Sequence, residues 1–176
     1  MEENGVHIGL LPIRKENQAD STATLERIRK NGWDCCEVIE DPEYLFLGSG
    51  HPLALTGEIT PQMLAQVPLG TYSHVNDDNW LLFGHYFSGE AGFRCHGKDA
   101  ILQYVAQNRC AAIFPRFTSQ YEYFVSQGAV QPVMVHGLDF GHATFLLVHQ
   151  SGKSLLREEQ SVVCALKRYF KDCTCK

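Results

Sequence analysis

The sequence predicts an α/β fold in which a mixed or parallel sheet is flanked by helices. Three observations lead there. Segments with strand character alternate with segments of helical periodicity, the pattern of layered α/β proteins. The strand segments are short, nearly continuous apolar runs such as Tyr44-Leu45-Phe46-Leu47 and Cys110-Ala111-Ala112-Ile113-Phe114, as expected of strands buried on both faces. A chain of 176 residues, 44% hydrophobic and 20% charged, can build one sizeable core or two small lobes of an ordinary globular protein.

The elements follow in order. Val6-His7-Ile8-Gly9-Leu10-Leu11-Pro12-Ile13 reads as a strand buried on both faces. Ser21 is placed to cap a helix over 23–30, with Leu25 and Ile28 on one face, and Asn31-Gly32 stops it. Two strands come next, over 36–40 and, more strongly, 44–47. Thr60 as N-cap and Pro61 at the first helical position open a helix that runs through Val67, and Pro68 ends it. Residues 69–72 read as a strand entering a polar loop, 73–79. The aromatic run 80–87 is expected to be helical, Gly89 and Gly92 mark a turn, and 93–95 is a short strand. A helix over 99–107 places Ile101, Leu102, Val105 and Ala106 on one side and delivers the chain to a buried strand, 110–114. Residues 118–127 look helical, with Phe117, Tyr121 and Phe124 at core spacing and Gly128 as the stop. Strands over 130–135 and 143–149, a turn at Gly152-Lys153-Ser154 and an amphipathic helix over 161–172 complete the chain; that helix turns Val162, Val163, Leu166, Tyr169 and Phe170 inward. No internal repeat or low-complexity segment interrupts this order.

Charge and cysteine usage narrow the function classes. The formal net charge is −5 and the basic residues are scattered, with Arg27, Arg29 and Lys30 the nearest thing to a patch, so no nucleic-acid surface is expected on this chain. The acidic start, Met1-Glu2-Glu3-Asn4, is no signal peptide, and no apolar run is long enough to span a bilayer. Seven cysteines, with Cys35 and Cys36 adjacent, form no disulfide framework and read as mostly buried free thiols of a reducing cytoplasm. His85, His136, His142 and His149 lack metal-ligand spacing, so neither metal nor cofactor is expected. Nor is an enzyme: there is no Gly-x-Ser-x-Gly elbow and no phosphate or dinucleotide loop, and Ser73-His74 with Asp77-Asp78 are loop neighbours that seldom point at one another.

One ordered set of segments is informative. Tyr44-Leu45-Phe46-Leu47 leads into Gly48-Ser49-Gly50-His51-Pro52-Leu53-Ala54, and a strand, helix and strand run from Phe93 through Gly97-Lys98-Asp99-Ala100-Ile101-Leu102 to Ile113-Phe114-Pro115. In this order and separation they resemble the effector-binding domain of LysR-type transcriptional regulators. The resemblance covers nearly the whole chain after residue 6 and implies a periplasmic-binding-protein-like (type II) fold of two α/β lobes with a ligand in the cleft between them. It divides the chain into part of a first lobe with a crossover (1–68), a second lobe (69–137), and a return crossover with the closing helix of the first lobe (138–176). The sequence departs from the family where Asn108-Arg109-Cys110 replaces a Gly-x-Gly turn, although Asn tolerates the left-handed conformation needed there. The connection over 14–33 is longer than usual. The resemblance finds no counterpart here of the winged helix-turn-helix or of the opening strand, helix and second strand of the first lobe, so the first lobe is expected to be incomplete.

Carried over position by position, the resemblance implies four groups of ligand-binding residues. Gly48 and Ser49 form the turn before His51. Tyr72, Ser73 and His74 follow the first strand of the second lobe. His96, Gly97 and Lys98 precede a helix whose unpaired N–H groups favour an anion, and a histidine with a lysine there favours a carboxylate. Pro115 and Phe117 close the buried strand and wall the pocket. His51 itself is read as a surface or packing residue and left out of the site. The expected function is a cytoplasmic, homodimeric sensor domain that binds a small, anionic effector, with DNA contacted by another domain. The alternative is a solute-binding protein of the same fold with no link to transcription; enzymes of related fold have motifs that this sequence lacks.

Overall fold

A computed structural model of the chain describes residues 8–14, 18–73, 78–88, 93–152 and 154–173. The expected Val6 and His7, the turn at Gly89 and Gly92, and Lys153 lie outside the described residues. The chain forms two compact units, one of Met1–Asp41 with Gly141–Lys176 and one of Pro42–Phe140.

In the first unit, β1 (Ile8–Arg14) lies antiparallel to β7 (His142–Gln150), with Ile8 opposite His149 and Arg14 opposite Ala143. Among the described residues β1 pairs with β7 alone, and it is not the doubly buried strand expected: Leu10 is 39% exposed and Pro12, on the same face, is exposed too. Helix α1 (Gln18–Lys30) starts earlier than expected and takes Ser21 inside its first turns, so Ser21 is not its cap. Its end is as expected: the N–H of Gly32 returns to the carbonyl of Arg29 and Gly32 adopts φ +75°. Helix α6 (Arg157–Cys173) also starts early; it buries Phe170 and half-buries Val163, Leu166 and Tyr169, but leaves Val162 49% exposed. Among the described residues the buried apolar side chains of this unit are Ile39, Ala143, Phe145, Leu146, Leu147 and Phe170.

Strand β2 (Trp33–Gly48) merges the two strands expected over 36–40 and 44–47 into one of 16 residues that passes from the first unit into the second. In the second unit its end lies antiparallel to both β5 (Ala112–Pro115) and β6 (Val130–Val133), with Leu45 opposite Ile113 on one side and Val133 on the other. Side chains alternate strictly across this sheet. Leu45, Leu47, Ala111 and Ile113 join Ile59, Leu64, Val67 and Leu69 on one face, while Phe46, Cys110, Ala112 and Phe114 join Ile101, Leu102 and Val105 on the other. Full burial of each large apolar side chain contributes about 1.5–3 kcal/mol. Residues 42–68, grouped with the first lobe by resemblance, therefore pack with 69–137 in a common core.

Helix α3 (Lys98–Ala106) covers the second face, with Ile101, Leu102 and Val105 buried as expected. The first face is covered by the segment Pro61–Gln66, by α2 (Asp78–Phe83) and by a single 3-10 turn, Gly84–Tyr86. Pro61–Gln66 is a 3-10 helix and not the α-helix expected; the Thr60 N–H is engaged by the Met63 sulfur at 3.5 Å. The helix expected over 118–127 is two short ones, α4 (Thr118–Tyr121) and α5 (Tyr123–Ser126), broken at Glu122, whose ψ of 130° is extended. Of the free thiols described, Cys110 alone is buried; Cys35, Cys36 and Cys95 are half-buried and Cys164 is exposed, so the expected burial holds for one.

Candidate functional site

The second unit gathers chemistry at one end of β5 and of the separate two-stranded sheet β3-β4. Strands β3 (Thr71–Tyr72) and β4 (Arg94–Cys95) are parallel, and Leu69 bridges Ala111 in parallel, so β3, β4 and β5 all run the same way. They end at Tyr72, Cys95 and Pro115. Helix α3 begins three residues after Cys95, so its N-terminus lies at this end as well. Ligands of open α/β sheets bind beyond the carboxyl ends of such strands.

Seven of the ten residues singled out from the sequence lie at or just after these strand ends. Tyr72 is half-buried, its ring edge-on to Phe114 with centroids 6.3 Å apart. The Ser73 N–H donates to the Cys95 carbonyl at 2.9 Å, which brings the Ser73 hydroxyl to 2.8 Å from Nδ1 of the exposed His96. Gly97 is the N-cap of α3 in extended conformation; no side chain caps the helix, and nothing lies within 4 Å of where a Cβ would stand. The first N–H groups of that helix have no partner within it. Pro115 closes β5 opposite Glu43, and Phe117 precedes α4, both half-buried.

Lys98 departs from the expected picture. Its Nζ lies 2.6 Å from Oε2 of Glu122, whose side chain is 8% exposed against 40% for the lysine. Sequence reasoning missed Glu122. The available signal was an acid inside the aromatic run Tyr121-Glu122-Tyr123-Phe124, where a solvated helix face would carry no such apolar flank.

Gly48 and Ser49 are not brought to this end. Strand β2 runs against β5, so Glu43 faces Pro115 and Gly48 lies at the far edge. There Gly48 packs against the end of α3, and Ser49 is engaged by its N–H with the carbonyl of Ala129 at 3.0 Å and by its hydroxyl with that of Gly128. His74 lies outside the described residues. His51 caps the turn Pro52–Leu55 by accepting the Leu53 N–H on Nδ1 at 3.2 Å; partial burial lowers its pKa below the ordinary 6.5. Asn108 takes the left-handed conformation expected of it, with φ 59°. The Cys110 thiol is pushed up to about 12 by burial first and by Cys95 second, with Arg109 opposing. A separate groove of about 390 Å3, lined by Leu53, Ile59, Val133, Met134 and His136 among others, holds none of the predicted residues. Among the described residues no group of three or more His, Cys, Asp or Glu could hold a metal ion, and no helix is long and apolar enough to cross a membrane.

Residues 8–171 match the model of the LysR substrate binding domain. The chain belongs to that family. The family consists of regulatory effector-binding domains of LysR-type transcriptional regulators. Solved regulatory domains show the same fold at low identity. The CcmR regulatory domain of Synechocystis PCC6803, in complex with 2-PG, is 14% identical with a TM-score of 0.63, over 97% of this chain and 76% of that one. The reduced OxyR regulatory domain of Pseudomonas aeruginosa is 11% identical with a TM-score of 0.64, over 96% and 73%. The MetR regulatory domain of N. meningitidis is 16% identical with a TM-score of 0.57, over 96% and 71%. The chain spans 48% of a full-length P. aeruginosa OxyR. No curated protein matches the sequence. The fold is thus the periplasmic-binding-protein-like type II fold of these regulatory domains.

Proposed function

We propose that this chain senses a small anionic effector for a LysR-type regulator of the cytoplasm, one that works as a homodimer and contacts DNA through another domain. The effector rests at the carboxyl ends of β3, β4 and β5 on Tyr72, Ser73, His96, Gly97, Lys98, Pro115 and Phe117. What supports this reading is that β3 and β4, a two-stranded sheet, run parallel to β5 of the doubly buried sheet beside them, so that the residues following all three strands fall toward one end. The open N-terminus of α3 offers N–H donors, and Ser73, His96 and Lys98 add polar groups beside it. Gly48 and Ser49, at the opposite end of β2, form no part of this end of the site, and His74 lies outside the described residues. Occupancy shifts a conformational equilibrium only as far as the effector binds one state better than the other. The chain's net charge of −5 suits an effector domain that leaves nucleic acid to another part of the protein.

A thermal-shift screen against amino acids, aromatic acids, dicarboxylates and neutral sugars tests it. A ligand that binds the folded chain raises Tm by mass action, about 2.7 kcal/mol at a hundred times Kd. Carboxylates are expected to stabilise the protein, and Ser73→Ala and His96→Ala to reduce that response. Stabilisation by neutral compounds alone, untouched by either substitution, refutes the anion assignment.

A further inference from the structure

The Lys98–Glu122 pair has an arrangement that packing alone does not require. Glu122 is the more deeply buried partner, yet it sits in a segment whose sequence favours one continuous helix. The N–H groups of Ser126 and Gln127 make helical bonds to the carbonyls of Glu122 and Tyr123, at 2.9 and 3.0 Å. The helix is interrupted by a single residue, Glu122, at φ −79° and ψ 130°. Its φ is already helical; only ψ has turned. In this conformation the carboxylate lies 2.6 Å from the ammonium group of Lys98, the first residue of α3. So Lys98, beside the uncapped helix start, already binds a carboxylate, and that carboxylate belongs to the protein. The lysine remains two-fifths exposed, which leaves it open to a second anion.

We infer that Glu122 is a tethered competitor: an anionic effector takes its place on Lys98, and the released residue lets α4 and α5 change their junction. This rests on the anionic-effector reading above and adds a regulatory step to the same site. The competition is intramolecular, so the tethered carboxylate acts at a high effective concentration and sets the effector concentration to which the domain responds. It also gives the site a moving part. Two helices of four residues each are too short to be stable alone; Phe124 and Val125 of α5 pack against the core, and the Lys98–Glu122 bond holds the junction.

The test uses benzoate and inorganic sulfate as probe anions, titrated by calorimetry into the wild-type chain, Glu122→Gln, Glu122→Asp and the double variant Lys98→Met/Glu122→Gln. Tighter binding of either probe to Glu122→Gln than to wild type, by about tenfold or more and lost in the double variant, supports the competitor. Glu122→Asp keeps the charge but shortens its reach and is expected to fall between; it also covers the case in which Glu122→Gln does not fold. Equal binding to wild type and both single variants overturns the competitor while leaving the anion site standing. Absence of binding to every folded variant overturns both. Weaker binding to the Glu122 variants makes Glu122 a supporting residue and also overturns the proposal.

Discussion

Gly48→Ala tests whether the end of β2 is a packing point or a free turn. An added Cβ would stand 2.5 Å from the Val105 carbonyl and 3.1 Å from Cγ of Asn108, and would overlap the Asn108 Oδ1. Real Cβ atoms essentially never approach below 3.0 Å, so the end of α3 must retreat from β2 by at least half an ångström. It cannot do so freely. The Asn108 N–H bonds to the same Val105 carbonyl at 2.9 Å, and Val105 is fully buried against Phe46 and Cys110. Overpacking of this kind costs about 1–3 kcal/mol, which for a chain of this length lowers Tm by about 2–12 °C. Differential scanning calorimetry measures it. Asn108→Gly removes one of the two obstacles at a left-handed position that glycine adopts without strain, so the double variant recovers part of the loss. A coupling of about 0.5 kcal/mol or more is expected from the cycle. A Gly48→Ala protein that melts within about 1 °C of wild type refutes the packing argument and returns Gly48 to the list of free turn residues.

Three further outcomes are expected. Lys98→Met leaves the buried Glu122 carboxylate without its cation; fully buried pairs lose about 3–5 kcal/mol on such a change, and the exposure of Lys98 reduces this to about 1–3 kcal/mol by urea titration, most of it recovered in Lys98→Met/Glu122→Gln. The His51 pKa is lowered by burial, so the folded state resists its protonation; the stability this gives is whole above the ordinary value of 6.5 and is lost as pH falls through the lowered one. His51→Asn retains a capping acceptor without a titrating ring, and its Tm is expected to fall less than that of wild type over the same acid range; identical profiles refute the assignment. Cys110, raised to about 12 by burial, is expected to resist thiol reagents at pH about 8 in the folded chain while the exposed Cys164 reacts, as mapped by mass spectrometry. Its raised pKa also means stability that is whole below the ordinary thiol value of 9.0 and lost as pH climbs above it. Labelling of Cys110 at the rate of Cys164 contradicts this.

The fold was largely legible because the second unit obeys simple periodicities. Leu45, Phe46 and Leu47 are all apolar, as a strand with two buried faces requires, and α3 shows its buried stripe in Ile101, Leu102 and Val105. The first unit was less legible. The run Ile8 to Ile13 is as apolar as a buried strand, but burial depends on what packs over each face, and Leu10 and Pro12, which share one face, are left in water. The small residue at Gly48 reads in sequence as a turn open to a ligand; that its missing Cβ lets α3 close on β2 is visible only once Asn108 and Val105 are in place. Motif order located the end of the sheet where Ser73 and His96 meet, because strands and helix starts are local features. The partner of Lys98 was not legible, because it is 24 residues distant and depends on one backbone angle.

That single angle also explains how rigid and adaptable parts divide the work in the proposed reading. The strands that end at Tyr72, Cys95 and Pro115 belong to or border a sheet packed on both faces, so the residues they hold are fixed relative to one another. A binding constellation needs such a frame. A sensor also needs an element whose alternative state lies only slightly higher in free energy, and a packed strand does not supply one. In the proposed reading residues 118–127 take that part: Tyr123 is 66% exposed, the helices are one turn each, and their junction is held where Glu122 meets Lys98. Replacing that ion pair with an effector's anion changes little in the frame and much in the segment. The group that recognises the effector and the group that reports it would therefore be the two ends of one salt bridge.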